Sequence, residues 1–226
     1  MDGLPISKCL PESFLVSPIK QKSSSSSPPQ GYRIMNSTER ILIAGSFVTV
    51  TVTYAASTVV AQLRALRSAK SGDSKLVVGL DVEWLSHDDR NAKVALLQLC
   101  SGTHCLIVQL HHLDYIPTEL LHFLADPTVD FVGVGITNDA HKLREDYGWG
   151  VGNAVELAPL AAKKKGPFGG QGLADLSRAV VGITIDKPSR LACVDWTLKH
   201  LSHDHIVYAA TDAYVSYLIG EKLLAN

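Results

Sequence analysis

The feature that most constrains this chain is an apolar run at residues 76–84 that carries two acids near its end. A run of β-branched and aliphatic residues predicts a buried strand. Asp81 and Glu83 occupy alternate positions, and because a strand changes face at every residue, both side chains point the same way. Neighbouring carboxylates repel each other unless a cation lies between them. The pattern alone fits a divalent-metal site, and it also fits a strand that ends in solvent with two surface acids.

Asp139 is a third acid of interest and follows an apolar, glycine-bearing run at 129–135. That run predicts a strand, and the residues after it predict a helix that ends near Tyr147 and is capped by Thr137 or Asn138. Asp139 then lies in the first turn of this helix. An acid there also complements the helix dipole, which is a purely structural explanation.

Asp212 is the fourth acid and lies inside the last predicted helix, 202–224. Its sequence neighbours are small or apolar, which favours close packing of the helix against a sheet, and an acid on that face needs a partner. Tyr208, four residues earlier, shares the face. A tyrosine at this spacing belongs to a core more often than to a catalytic site, so both interpretations stay open.

The order of the remaining elements predicts a mixed-sheet α/β domain. Residues 92–110 predict an antiparallel hairpin with its turn at 101–104. Residues 41–61 carry no charge, but their hydroxyl residues and two-residue period favour a strand and a following helix over a membrane span. The other predicted elements are a strand at 154–156, helices at 56–70, 117–125, 157–163 and 173–181, and a flexible stretch at 163–172.

The first residues differ from the rest in composition. A run of five serines, Ser23–Ser27, precedes two prolines, which predicts a disordered tail at 1–34 ahead of a folded domain at 35–226. No secretory pattern is visible in it. The formal net charge of −1 argues against a protein that grips nucleic acid through bulk electrostatics alone.

The four cysteines show neither a C-x-x-C pair nor a dense framework, which favours free thiols in a reducing, intracellular compartment, nucleus or cytoplasm. Cys100 and Cys105 flank the predicted hairpin turn and could face each other. A disulfide between them, or a zinc site with His104, is the alternative to free thiols.

Three short motifs resemble, in order, those of the DEDD superfamily of 3′–5′ exonucleases. They are Asp81-Val-Glu83, Gly-Val-Gly-Ile-Thr-Asn-Asp139 and Tyr208-Ala-Ala-Thr-Asp212. The sequence is most similar to the ribonuclease D and Werner syndrome exonuclease branch in its small plant-type form, over roughly residues 40–224. Val207 stands where a histidine would mark the other branch, so Tyr208 places the chain in the tyrosine class. Supporting matches are Leu97-Gln98-Leu99, Gly172-Leu173 through Leu176, and Trp196 through Leu201.

The resemblance implies a ribonuclease H-like fold, a mixed β-sheet flanked by helices, that hydrolyses terminal phosphodiesters at the 3′ end of DNA or RNA. It implies release of nucleoside 5′-monophosphates with two divalent ions, Mg²⁺ or Mn²⁺, about 4 Å apart. Asp81, Glu83 and Asp212 would hold the first ion. Asp81 would share the second, with Asp139 acting through waters, and Tyr208 would orient the attacking water.

Two departures from the family pattern leave this set of acids complete. Val194 stands where relatives usually have serine, and the lysines of the 163–172 stretch could contact phosphates or simply be solvated. The sequence ends with the last predicted helix, and from it we expect a stand-alone nuclease domain. The competing hypothesis is a weak or inactive nuclease-fold module that binds nucleic acid or a protein. A different phosphoesterase on the same fold would share the metals but would not explain Tyr208.

Overall fold

The structure is a computed structural model that describes residues 36–70, 75–85, 92–166, 172–186, 191 and 194–225. Within these ranges the chain forms one mixed sheet. The strands are β1 (Asn36–Ile43), β2 (Ser46–Thr53), β3 (Leu76–Trp84), β4 (Val94–Ser101), β5 (His104–Gln109), β6 (Val129–Gly133) and β7 (Ala154–Glu156). The helices are α1 (Ala56–Ser68), α2 (Thr118–Leu124), α3 (Ile136–Tyr147), α4 (Leu157–Lys165), α5 (Leu173–Leu176) and α6 (His203–Leu224).

The strand order in the sheet is β1-β2-β5-β4-β3-β6-β7. β3, β4 and β5 are antiparallel neighbours, whereas β6 and β7 run parallel to β3 and β2 runs parallel to β5. This arrangement confirms the predicted mixed-sheet α/β fold, and β3 lies near its centre. The tail predicted at 1–34 falls outside the described residues, so the domain boundary stays a prediction.

Both faces of the sheet are covered, which explains why β3 is apolar at nearly every position. Leu80 and Val82 point into a core shared with α1 and α2. The opposite face of the sheet packs against α6, which contributes alanines and Val215 to two further apolar clusters. A strand buried on both faces has few positions for polar side chains, so an acid in β3 requires a specific explanation.

The uncharged residues 41–61 form the end of β1, all of β2 and the start of α1. The strand and helix predicted in place of a membrane span are therefore confirmed. Among the described residues, the structure contains no helix with the length and apolar character needed to cross a bilayer. The sequence does not predict β1, the strand that pairs with β2, because the first half of β1 is polar and exposed.

Two local predictions are wrong, and a third is correct in its bounds but not in its helix type. The residue that caps the N-terminus of α3 is Gly135, not Thr137 or Asn138. Its φ of +81° is a conformation that favours glycine. Its carbonyl oxygen accepts hydrogen bonds from the backbone amides of Asn138 and Asp139 at 2.9 and 3.2 Å. The flexible stretch predicted at 163–172 is wrong at its start, because Lys163–Lys165 form the last turn of α4, where their charges complement the helix dipole. Residues 167–171 of that stretch lie outside the described ranges. The helix predicted at 173–181 is α-helical only to Leu176 and continues as a π-helical turn, Ser177–Val181.

The expectation of free thiols is also wrong for the hairpin. Cys100 and Cys105 lie directly opposite each other on β4 and β5, with Cα atoms 4.2 Å apart, and they form a disulfide. Directly opposed residues of an antiparallel pair come close enough for this bond.

Asp126, which follows α2, links the helical layer together. Its carboxylate accepts hydrogen bonds from the backbone and side chain of Thr128 and forms an ion pair with Arg67 of α1 at 2.8 Å. The Thr128 hydrogen bonds chiefly hold the pKa of Asp126 below its ordinary value of 3.8, at about 2. Because the pKa of Asp126 is lower in the folded than in the unfolded state, its ionised carboxylate stabilises the fold. This contribution is complete above the unfolded-state pKa and is lost as the pH falls through the folded-state pKa.

We therefore expect Asp126→Asn to lower the melting temperature at neutral pH. Between pH 3.8 and about 2, the melting temperature of this variant should fall less steeply than that of the wild type. Circular dichroism melts across this range measure both effects. Glu119→Gln, at an exposed acid on α2, is the control. Parallel pH profiles for the wild type and Asp126→Asn would contradict this role for Asp126.

Candidate active site

Asp81 and Glu83 lie on the face of β3 that α6 covers. They alternate with Leu80 and Val82, which point into the opposite core. The β3–β4 register places Asp81 opposite Gln98 and Glu83 opposite Leu96, and it shifts between Glu83 and Trp84. The predicted orientation of the two acids is therefore confirmed. They do not lie in solvent, since Asp81 is 8% and Glu83 3% exposed.

Close contact between α6 and β3 brings Asp212 to these acids. A Cβ atom on Gly79 would overlap the carbonyl oxygen of Ala213 and lie 2.7 Å from the nitrogen of Tyr217. Further along, a Cβ on Gly220 would lie 2.6 Å from the Val132 side chain. Gly79 therefore lets the backbones of β3 and α6 come into contact, and Gly220 leaves room for the Val132 side chain of β6. Asp212 directly precedes the contact at Ala213.

Three carboxylates converge at this contact. Asp81, Glu83 and Asp212 each offer an oxygen, and the three oxygens lie within 4.8 Å of one another. All three residues are buried, and Asp81 Oδ2 has no hydrogen-bond partner. Negative groups packed this densely away from water are unfavourable without a cation.

The chemistry of this group fits a hard divalent cation. Mg²⁺ and Mn²⁺ take oxygen ligands, and carboxylates supply both the oxygens and the neutralising charge. The convergent, buried carboxylate oxygens are what such an ion requires, whereas zinc sites favour histidine and cysteine. The cluster can therefore hold a metal ion.

Asp139 is not a member of the convergent group formed by the other three acids. It lies in the first turn of α3, as predicted, and is 4% exposed. The convergent group consists of Asp81, Glu83 and Asp212, and it does not include Asp139.

The far end of α3 is fixed to the start of β4, beside the end of β3. Val94 N donates to Asp146 Oδ2 at 2.8 Å, and Tyr147 Oη donates to the Val94 carbonyl at 2.7 Å. Lys142 binds the same Asp146 carboxylate at 2.7 Å. Burial, with Asp146 nearby, raises the pKa of Tyr147 to about 12, so its hydroxyl keeps its proton at neutral pH. These bonds hold the C-terminal end of α3, the helix that carries Asp139, against β4, the strand that pairs with β3.

Tyr208 lies one turn before Asp212 on α6 and is 8% exposed. Its ring centroid is 5.9 Å from that of the fully buried Trp196. Trp196 also packs against His205, at 5.5 Å, and His205 shares a capping box with Ser202 at the start of α6. The segment before α6 and the first turns of the helix thus restrict the tyrosine ring on one side.

Sequence analysis did not predict two parts of this surrounding structure. The bonds from Asp146 and Tyr147 to Val94 join residues more than fifty positions apart, and no local pattern indicates them. The sequence draws attention to Gln98 only through a short family match, although an amide inside an apolar strand is itself a detectable signal. It lies fully buried opposite Asp81.

Fold and site together define an α/β protein with a carboxylate centre of the metal-binding type at the end of its central strand. Comparison with known proteins gives the family. A family model described as 3′-5′ exonuclease matches residues 49–226, so the chain belongs to the 3′-5′ exonuclease family.

Two curated relatives illustrate the match. The chain is 38% identical over 151 residues to Exonuclease 3′-5′ domain-containing protein 2 of Drosophila melanogaster, covering 65% of this chain and 25% of the relative. It is 35% identical over 167 residues to a 3′-5′ exonuclease of Arabidopsis thaliana, covering 72% of this chain and 58% of the relative. The chain thus spans about a quarter of the animal protein and just over half of the plant protein.

A solved structure gives the same fold. Escherichia coli RNase D, an exoribonuclease involved in structured RNA processing, superimposes with a TM-score of 0.64 at 20% identity, covering 76% of this chain and 44% of that one. This likeness confirms the expected ribonuclease H-like architecture.

Proposed function

We propose that this chain removes nucleotides one at a time from the 3′ end of nucleic acid and releases nucleoside 5′-monophosphates. The observation that supports the proposal best is the convergence of Asp81, Glu83 and Asp212 within 4.8 Å in a buried site. Family membership supplies the reaction class, and this cluster supplies the group of residues able to perform it.

The acids divide into two roles in this proposal. Asp81, Glu83 and Asp212 would hold one divalent ion, and Asp81 would share a second with Asp139, through water. When bound, such ions stabilise the attacking and leaving oxygens of an in-line displacement and make a water more acidic. The carboxylates themselves balance the ionic charge. The sheet and α6 around them exclude bulk solvent, which strengthens each electrostatic contact.

Tyr208 has a positioning role in this scheme. Tyr208 lies on the same helix face as Asp212, one turn away, and Trp196 packs against its ring. It would donate a hydrogen bond that orients the attacking water against the terminal phosphodiester. The Tyr208 hydroxyl is not one of the proposed metal ligands, so removing it should leave ion binding unchanged.

We expect Tyr208→Phe to lower kcat by about 10²-fold, because a misplaced nucleophile forfeits that order of rate. The midpoint of the Mn²⁺ dependence should stay where it is in the wild type. Single-turnover cleavage at saturating strand concentration gives the rate, and the same assay across Mn²⁺ concentrations gives the midpoint. Tyr214→Phe, on the same helix, is the matched control. A shifted midpoint with an unchanged rate would contradict the assigned role.

The proposal is tested by incubating 5′-labelled strands with the full chain in Mg²⁺, Mn²⁺ or chelator. The set includes a single strand and a recessed-3′ duplex, each as DNA and as RNA. We expect a ladder that shortens from the 3′ end only when an ion is present. Comparison of the four substrates gives the preference for sugar and strandedness, since an RNA-specific site must contact the 2′-hydroxyl. Folded protein that cleaves none of them with either ion would favour a module that binds without cutting.

The folded unit in this proposal begins at residue 35. β1 starts at Asn36 and pairs with β2 along its whole length, and Ile41 and Ile43 are buried against the α6 side of the sheet. The family match begins only at residue 49, inside β2. A chain trimmed to residue 46 would lose β1, expose the edge of β2 and should be less stable than one trimmed to residue 35.

A further inference from the structure

Gln98 is a buried amide whose position the fold alone does not explain. Its side chain is fully buried on β4, and neither Nε2 nor Oε1 has a hydrogen-bond partner. Burying a polar group without partners is strongly unfavourable. Its apolar neighbours on the same face of the sheet include Leu96, Cys100 and, on β5, Ile107, all of which belong to one cluster. An aliphatic side chain of similar length would suit that environment better.

A second buried glutamine on the same sheet face shows what a structural role requires. Gln109 is 4% exposed, and its Nε2 donates to the carbonyls of Leu198 and Lys199 at 3.0 and 3.1 Å. Those bonds tie β5 to the segment before α6. Gln98 makes no comparable contact, so its amide is available for another purpose.

The strand register places that amide beside the acidic cluster. Gln98 is directly opposite Asp81 in the β3–β4 pair, so both side chains project from the same face. Asp81 Oδ2 is likewise buried without a partner. An unused donor and an unused acceptor therefore lie on adjacent strands. The terminal torsion of glutamine is soft, so the amide can turn without movement of the backbone.

We propose that Gln98 is a positioning residue whose Nε2 donates a hydrogen bond to Asp81 Oδ2 when the cluster binds its ion. This inference rests on the proposed metal-dependent function. Carboxylates that ligate metals are held by neighbouring hydrogen-bond donors, and loss of such a donor weakens metal affinity by about 10- to 100-fold. In this interpretation Gln98 lowers the stability of the ion-free fold and fixes the orientation of Asp81 in the ion-bound one.

The test compares Gln98→Met with Gln109→Met in the full chain. In chelator, Gln98→Met should raise the melting temperature by about 2–4 °C, since an unsatisfied amide is replaced by a side chain that packs well. Gln109→Met should lower it, because two carbonyls lose their donor. Calorimetric titration with Mn²⁺ alone should give a dissociation constant raised about tenfold or more for Gln98→Met. For Gln109→Met it should give one close to the wild-type value.

The outcomes separate this inference from the proposed function. If the folded wild type binds no Mn²⁺, both are overturned. If it binds Mn²⁺ and Gln98→Met binds equally well, the inference about Gln98 fails and the metal site stands. A melting temperature for Gln98→Met that falls in chelator as far as that of Gln109→Met would show that the amide has a purely structural role, and would also overturn the inference.

Discussion

Asp212→Asn should lower the rate of 3′-end cleavage by about 10³-fold or more while the protein stays folded. The substitution keeps the size of the side chain and removes one of three convergent carboxylate charges. In chelator the variant should melt at the same temperature as the wild type or higher, because less charge repulsion remains in a buried site. We expect the same pattern for Asp81→Ala. Single-turnover cleavage and thermal melts of the same preparations measure both effects.

The response of stability to the ion provides an independent check on this prediction. An ion that binds the folded state alone stabilises it by about 2.7 kcal/mol at a hundred times its dissociation constant. Mn²⁺ should therefore raise the melting temperature of the wild type and of Glu119→Gln, a control at an exposed acid. It should have little effect on Asp212→Asn. Full activity in Asp212→Asn, or an equal Mn²⁺ response in all three proteins, would show that the cluster is not the catalytic centre.

Gly79→Val should have the largest effect on stability, although Gly79 makes no contact through a side chain. Any Cβ at this position would overlap the backbone of α6 at Ala213, and backbone atoms cannot move aside as a flexible side chain can. We expect a loss of about 3 kcal/mol, the upper part of the range for overpacked cores. For a chain of this size that corresponds to a melting temperature lower by roughly 6–12 °C. Cleavage should also fall, because the displacement moves Asp212 away from Asp81.

Gly150→Ala is the matched control for this glycine. Nothing lies within 4 Å of a Cβ built on Gly150, so the variant should melt and cleave like the wild type. The activity loss in Gly79→Val should persist at temperatures where the variant is fully folded by circular dichroism. If it regained full activity there, Gly79 would contribute only to stability and the placement of Asp212 would not depend on this contact.

The central strand and its acids could be predicted because their signals are local. An apolar run with acids at alternate positions determines both the strand and the side from which Asp81 and Glu83 project. Asp212 and Tyr208 share a helix face for the same kind of reason, four residues being about one turn. The family motifs then indicated that these separate elements meet, which the spacing alone does not show.

Features that depend on how the folded backbone turns and pairs were harder to predict. The cap of α3 is Gly135 because the chain turns through a left-handed conformation there, and Thr137 and Asn138 were the locally favoured candidates. The Cys100–Cys105 disulfide depends on the register of one hairpin, which composition does not reveal. β1 has an exposed, polar first half and gains its apolar contacts only through pairing with β2. Each of these follows from tertiary structure rather than from a sequence pattern.

Electron paramagnetic resonance of Mn²⁺ added to the full chain without nucleic acid tests the central claim most directly. The wild type should bind the ion, so that the sharp spectrum of free Mn²⁺ loses intensity and a broad spectrum replaces it. Asp81→Ala lacks the ligand shared by both proposed ions and should leave the sharp spectrum almost unchanged. Equal uptake by the two proteins, with Asp81→Ala folded by circular dichroism, would contradict a metal centre at Asp81, Glu83 and Asp212.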